Sequence, residues 1–337
     1  MGDPAGISAE VVVKAFAALA EGKQPLVEEI RRRLRRERAN LTVVGDAGVL
    51  GKAAKRLRPR MPIVLVQDLV TDWVPPTALS LLAHSRIDMR GFRFGTPAYG
   101  AEQLGYLDFA IEQARRRRIS AIVTGPVTKE AVAAILPDFV GHTGYLAEKL
   151  GVREERMAFL TPEYLLALQT THIPLRKVSS QITSTGLVTS LKMLDKAGLA
   201  RWGRHLPVAV LGLNPHAGEH GLMGDEEDRL ILPAMKRARR LGIVCEGPFP
   251  ADSFFIERVK RYKLILAMYH DQGLIAVKPA FPRASVNVTL GLPVVRTSVD
   301  HGSGYDIAGK GIASEVSLLY AIKAALELLA VRPGRVG

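Results

Sequence analysis

Along the chain, short runs rich in Val, Ile and Leu alternate with longer stretches in which apolar residues recur every three to four positions. The short runs LTVVGD (41–46), MPIVLVQD (61–68), ISAIVTGP (119–126), PVAVLGLNP (207–215) and KLILAMYHD (263–271) end in Gly, Pro, Asn, Asp or His. They read as strands closed by turn residues. The longer stretches AEVVVKAFAALAEG, GYLDFAIEQARRRR, TSLKMLDKAGLARWG, EEDRLILPAMKRARRLG and SEVSLLYAIKAALELLA carry the helical period. Strand and helix in alternation predict an α/β architecture with a mainly parallel sheet or sheets. No internal repeat or low-complexity tract interrupts it, and no shift of composition marks a linker. At 337 residues the chain suits two domains or one large α/β unit.

The composition, 47% hydrophobic, 23% charged and 6% aromatic, is globular and excludes disordered and fibrous classes. No run approaches 18 consecutive apolar residues, so no membrane span is expected. The opening MGDPAGISAE has neither the basic nor the apolar region of a signal peptide. A single cysteine, Cys245, excludes an internal disulfide framework and a multi-cysteine zinc site. These features point to the cytoplasm. The net charge of +13 raises nucleic-acid binding as a reading. However, the excess gathers in RRRLRRER (31–38) and RRRR (115–118), both within helical periodicity and without interleaved aromatics. Solvated helix faces explain these runs, so no nucleic-acid partner is expected. The positive field does favour a phosphorylated or carboxylated small molecule.

The eight histidines carry the first chemical signal. Five lie in turn-like settings: His142 in GHT, His172 in TTHIP, His216 in NPHAGE, His270 in YHDQG and His301 in DHGSG. His172, His216 and His270 directly follow the apolar runs LLALQTTH, VAVLGLNPH and LILAMYH. Ligands of open α/β sheets bind at the carboxyl ends of strands, so three loops could bring these imidazoles together around a catalytic divalent ion with positions left for substrate oxygens. The alternative is three loop histidines, each hydrogen-bonded on its own. Lys278, Arg283 and Arg296 sit among apolar residues and turn formers, where a cation can meet phosphate or carboxylate. The glycine-rich HGSGYDIAGKG (301–311) would let backbone N–H groups approach a nucleotide, although such a loop is often only a connection. The chain has no GxGxxG after a strand, no P-loop and no GxSxG elbow; a dinucleotide would bind by another geometry.

The blocks GDPAGIS (2–8), VTGPVTKEA (123–131), GHTGYLAEKLG (141–151), TTHIPL (170–175), GLNPHAGEHGLMGDEE (212–227), GPFPADSFF (247–255), AMYHDQG (267–273) and VNVTLGLPVVRTSVDHGSGYDIAG (286–309) resemble, in order and nearly end to end, the 4-hydroxythreonine-4-phosphate dehydrogenase family of vitamin B6 synthesis. The tail HGSGYDIAGKGIA is similar to the adenine loop of isocitrate and isopropylmalate dehydrogenases. The resemblance implies two α/β/α domains with an interdomain cleft, 1–128 plus 292–337 forming one and 129–291 the other. It implies a homodimer with the second domain at the interface, and NAD or NADP as cofactor with one divalent ion (Zn, Mg, Co or Mn) per site. The expected reaction is oxidation of 4-phosphohydroxy-L-threonine to a keto acid that loses CO2. Sister branches act on D-threonate or D-erythronate 4-phosphate or on cis-dihydrodiols.

By motif, the resemblance makes His172, His216 and His270 the metal ligands. His142, Thr143, Lys278, Asn287 and Arg296 become substrate contacts. His301, Gly302, Ser303, Asp306 and Ile307 become the adenine and ribose site. A proton acceptor is still needed, and Lys129, Asp252 and Asp271 are its candidates; Lys129 also reads as an ordinary first-turn helix residue. Three departures stand out. Gly144 follows GHT where the family carries Glu, which removes a carboxylate beside the substrate contacts. The opening reads GDPAGISAE in place of GDPAGIGPE. The short apolar strand that normally precedes it is not in the sequence; losing a central strand would leave buried ladder groups unpaired, so a misassigned start is expected.

Overall fold

The computed structural model describes residues 1–58, 60–139 and 141–329. The chain divides into two compact units, Met1–Arg153 with Leu292–Leu326, and Glu154–Gly291 with Glu327–Leu329. Residues 330–337, at the end of the expected first domain, lie outside the described residues.

The first unit opens with α1 (Ser8–Glu21) and α2 (Pro25–Arg36), followed by β1 (Thr42–Asp46), α3 (Ala47–Leu57), β2 (Ile63–Leu65) and β3 (Leu79–Ser85). The three strands form a parallel sheet in the order β1-β3-β2. α1 is buried almost all round, through Val11, Val12, Val13, Phe16 and Leu19, which is why its sequence reads nearly apolar on every face. α2 buries only Val27, Ile30 and Leu34, leaving Arg32, Arg35 and Arg36 exposed and Arg31 and Arg33 half-buried. Asp46 ends β1 and caps α3: its side chain accepts from Val49 N at 3.0 Å, and its other oxygen accepts from Ser85 Oγ at 2.9 Å and Ile87 N at 2.8 Å. α4 (Gly100–Arg115), β4 (Ala121–Thr124), α5 (Lys129–Ala133) and α6 (His142–Lys149) complete this stretch. Leu107, Ile111, Ile122, Val132, Phe139, Tyr145 and Leu146 form one apolar cluster. That shared core places 129–153 in the first unit, whereas the sequence reading put its boundary at 128.

The second unit holds β5 (Arg156–Leu160), β6 (Leu165–Leu168), α7 (Val178–Gln181), α8 (Ser184–Trp202), β7 (Val208–Leu211), α9 (Leu232–Arg240), β8 (Cys245–Phe249), α10 (Ala251–Glu257), β9 (Leu264–Ala267), α11 (His270–Ala280) and β10 (Val286–Leu290). The strands run β10-β5-β6-β9-β7-β8. The pairs β6–β9, β9–β7 and β7–β8 are parallel, and β5 is antiparallel to both neighbours. The β5–β6 hairpin turns at Thr161, whose hydroxyl donates to Tyr164 O at 2.9 Å. Every residue of β6, β7 and β9 is buried, the mark of central strands covered on both faces. α8 begins at Thr183, which accepts from Gly186 N, and stops at Gly203, whose φ of 71° a residue with a Cβ would adopt at a cost. Returning to the first unit, β11 (Val295–Ser298) pairs in parallel with β4, and α12 (Val316–Leu329) contributes Leu318, Leu319, Ile322 and Leu326 to the cluster around α1. No helix among the described residues is long and apolar enough to cross a membrane.

Candidate active-site residues

In the second unit the three strand-end histidines follow β6, β9 and β7, which are neighbours in the sheet. Leu168 pairs with Ala267 in register, and Val210 with Leu266, so the chains that leave the three strands emerge side by side. Side-chain hydrogen bonds then tie the loops together. Gln272 accepts from Met268 N and donates to Gly212 O, both at 2.7 Å, joining the β9 loop to the β7 loop. Thr170 Oγ1 donates to Met268 O at 2.8 Å, joining the β6 loop to the β9 loop. Ser179 Oγ donates to Glu226 Oε1 at 2.6 Å, and Asn214 Nδ2 donates to Glu226 Oε2 at 2.8 Å.

His172 and His270 meet, with ring centres 5.6 Å apart and planes inclined by 47°. Two imidazoles that bind one ion through nitrogen at about 2.1 Å place their centres about 5 Å apart, a spacing near that of this pair. His270 Nδ1 lies 2.7 Å from Asp271 Oδ1, which leaves Nε2 free of this carboxylate; metal-binding histidines commonly have such a partner behind them. Asp271, a candidate proton acceptor by sequence, is thus engaged with His270. His216 sits on the exposed β7 loop. Among the described residues, no three His, Cys, Asp or Glu side chains come together closely enough to hold a metal; the structure assembles two of the three imidazoles.

The backbone that carries His216 is unusual. His216, Ala217, Gly218, Glu219 and His220 all have positive φ, between 42° and 79°. Four of these are not glycine, and the left-handed region costs each about 1–2 kcal/mol. Such strain persists only where surrounding contacts fix it, and it concentrates at functional sites. Asp252 is exposed in the first turn of α10, which packs beside this turn. Lys278 Nζ stands over the Phe159 ring, 5.7 Å from its centre, and Asn287 is the register partner of Phe159. Directly paired residues share a face, so Lys278 and Asn287 face the same side of the sheet. Arg283, left open by sequence, lies exposed after α11.

In the first unit Lys129 begins α5, and His142 and Thr143 begin α6. Arg296 on β11 is buried, only 3% exposed, and donates from Nη2 to Thr124 Oγ1 at 2.9 Å; burial lowers its pKa to about 10. Burial holds the His142 imidazole well below its usual pKa, helped by the positive charges of Arg296, the N-terminal ammonium and Lys129. His142 is therefore neutral near pH 7 and can face an anion or a hydroxyl without an added charge. In the glycine-rich loop, His301 Nδ1 lies 3.0 Å from Gly302 O, while its Nε2 is shielded from solvent without a partner, a state that fits a polar ligand. Ser303 is buried, Gly302 and Asp306 are exposed, and Ile307 packs on the α1 cluster.

The sequence reading missed what anchors this loop. Asp3, fully buried, accepts from Ala5 N at 2.9 Å, from Thr128 Oγ1 at 2.6 Å and from the Tyr305 hydroxyl. Thr128 Oγ1 also lies 2.7 Å from Ser303 Oγ, and Ile7 N donates to Ser303 O at 2.8 Å. The blocks that begin at 2, 123 and 301 thus meet through side chains. The second omission is Glu227, whose buried carboxylate accepts from Leu213 N, Asn214 N and Asn214 Nδ2 at 2.7–2.8 Å. Both residues stand inside the quoted blocks, but only the fold reveals their partners.

Residues 37–325 match the family of the pyridoxal phosphate biosynthetic protein PdxA. The chain belongs to the PdxA family. It is 35% identical over 333 residues to the 4-hydroxythreonine-4-phosphate dehydrogenase of Sulfurihydrogenibium, covering 98% of each chain. It is also 35% identical over 328 residues to a putative D-threonate 4-phosphate dehydrogenase of Fusobacterium nucleatum, covering 96% of this chain and 94% of the other. The solved 4-hydroxythreonine-4-phosphate dehydrogenase of Klebsiella pneumoniae superposes with a TM-score of 0.85 at 32% identity, over 98% of this chain and 97% of the other.

Proposed function

We propose that this PdxA-family chain carries out the metal-dependent, NAD(P)-linked oxidation of 4-phosphohydroxy-L-threonine to its 3-keto acid, which decarboxylates to 3-amino-2-oxopropyl phosphate. The observation that carries the reading is the His172–His270 pair, with Asp271 behind it, at the ends of adjacent parallel strands. His172, His216 and His270 would hold the ion. A bound divalent ion would polarise the reacting oxygen of the substrate, and a bound nicotinamide would take up the hydride.

The chain's own groups do the rest. Asp271 orients His270. Lys278, Asn287 and Arg296 offer donors and positive charge to phosphate and carboxylate, as Arg and Lys do elsewhere. His142, kept neutral, and Thr143 contact the substrate through hydrogen bonds. His301, Gly302, Ser303, Asp306 and Ile307 receive the adenine and ribose, with His301 Nε2 offered by its unmet hydrogen-bonding capacity. Lys129 and Asp252, both exposed, are the groups proposed to accept the hydroxyl proton; Asp271 acts through His270. Leu175, Leu222, Ile256 and Ile275 are exposed apolar side chains on or near the elements that carry the histidines. They support a homodimer in which a second copy covers them. The enzyme is placed in the cytoplasm.

A second reading has one observation behind it. Gly144, in the first turn of α6 beside His142 and Thr143, offers no carboxylate to a substrate ammonium. That favours a sugar-acid phosphate such as D-threonate or D-erythronate 4-phosphate. The test for both readings is a panel of the three phosphorylated acids with NAD+ or NADP+ and a divalent metal, followed by NADH or NADPH absorbance. Turnover of 4-phosphohydroxy-L-threonine above the other two supports the first reading, and turnover of none overturns both.

A further inference from the structure

A buried acid and a left-handed turn meet beside His216. Glu227 is 3% exposed, and its hydrogen-bond partners are N–H groups of the His216 loop rather than a cation. Oε1 accepts from Leu213 N at 2.7 Å and Asn214 N at 2.8 Å, and Oε2 accepts from Asn214 Nδ2 at 2.8 Å. A buried carboxylate of this kind needs several charge-assisted bonds to be tolerated, and here all of them go to the residues that lead into the turn. The turn also closes onto the carboxylate itself: a Cβ on Gly218, whose φ is 79°, would stand 2.7 Å from Glu227 Oε2. Ala217 N donates back to Asn214 O at 3.1 Å, and Met223 N to Gly218 O at 3.1 Å, so the left-handed stretch is fixed at both ends. The neighbouring Glu226 ties the same Asn214 to Ser179, on the segment that follows His172.

We propose that Glu227 is the positioning residue for His216: its carboxylate holds Leu213 and Asn214 so that the 216–220 turn stays left-handed and keeps His216 at the end of β7, ready to join His172 and His270 around a divalent cation. This rests on the reading of His216 as a ligand. Groups that orient a ligand from behind typically contribute 10–100-fold to metal affinity, which sets the size of the effect.

The test is a cobalt(II) titration of the full chain, followed by visible absorbance and calorimetry, for the parent, Glu227→Ala, Glu227→Gln and His216→Ala. Amide exchange over 213–223 is measured alongside. Glu227→Ala is expected to weaken cobalt binding 10–100-fold and to speed exchange at 213 and 214 without moving the KM for the dinucleotide. Glu227→Gln, which keeps one acceptor oxygen, is expected to recover part of the affinity. Faster exchange with cobalt affinity within twofold of the parent would overturn the proposal, because the turn would then have loosened without consequence for the ligand. Unchanged affinity in His216→Ala would overturn the ligand reading itself and this proposal with it, whereas a loss in His216→Ala alone sinks only the role of Glu227. Should Glu227→Ala fail to fold, Ala217→Gly serves, since glycine suits a positive φ. It is expected to hold or tighten cobalt binding, and weaker binding contradicts the proposal.

Discussion

Arg296 gives the sharpest conflict between stability and function. Its guanidinium is 3% exposed on β11, and burial alone draws its pKa from 12.5 to about 10. At 1.36 kcal/mol per tenfold change, that fall corresponds to about 3 kcal/mol against the charged form. The cost is present in full at any pH below about 10, where the group is charged in both the folded and the unfolded chain. Replacing Arg296 with Met removes the buried charge and gives up bonds that include the one to Thr124 Oγ1, which alone is worth about 1.5–3 kcal/mol for a charged donor. Set against that bond, the balance is a gain of about 0–1.5 kcal/mol, or roughly 0–6 °C in Tm for a unit of this size. The same change removes a proposed anchor for phosphate or carboxylate, and kcat/KM should fall by a factor of about 100, the loss of a buried charged hydrogen bond. Calorimetry of the ligand-free chain and steady-state kinetics read the two effects separately. Added inorganic phosphate should raise the parent's Tm more than the variant's. If Arg296→Met melts below the parent, the guanidinium supports the fold, and the argument from burial cost is wrong.

His142 makes folding depend on pH with a definite sign. Because its folded pKa lies below the usual 6.5, the unfolded chain takes up a proton as pH falls through 6.5 and the folded chain does not. Stability is therefore complete above that value and declines below it, at up to about 1.4 kcal/mol per pH unit; His142→Asn should flatten that part of a denaturation-versus-pH curve. His172→Ala and His270→Ala should each weaken cobalt binding at least 100-fold while moving Tm little, given that both side chains are at least partly exposed. If Lys278 contacts the substrate phosphate or carboxylate equally in ground and transition states, Lys278→Ala should raise KM and spare kcat, and a change confined to kcat would contradict that role. Asp46→Ala removes three hydrogen bonds from a buried carboxylate and should cost about 2–4 kcal/mol in urea unfolding.

The strands that ended in turn residues were legible because their apolar runs are continuous, as in KLILAMYHD, where β9 is buried at every position. RMAFL of β5 and VNVTL of β10 were harder to read, since each carries a polar or half-buried residue within the run. The antiparallel arrangement of β5 against both neighbours left no periodic trace at all. Strand-end position brought His172 and His270 together on paper as it does in space. It did not foresee that the His216 loop turns left-handed, because no residue between 215 and 221 except Gly218 and Gly221 advertises a positive φ. Asp3, Thr128 and Tyr305 escaped for a related reason: their partners lie more than a hundred residues away, and hydrogen bonds over such separations have no local signature.

The ties between the two ends of the first unit also bear on how the chain is made. Glu10 accepts from Gly311 N, Lys14 donates to Gly311 O and Ala313 O, and the Tyr305 hydroxyl reaches Asp3. During synthesis on the ribosome, the early helices emerge long before these distant partners exist. The second unit, apart from its last few residues, is contiguous from 154 to 291 and can mature while the first still waits with α1 partly uncovered. Chains released after residue 291 should therefore show a protease-resistant middle and a labile start, and the start should become resistant only in chains that include α12.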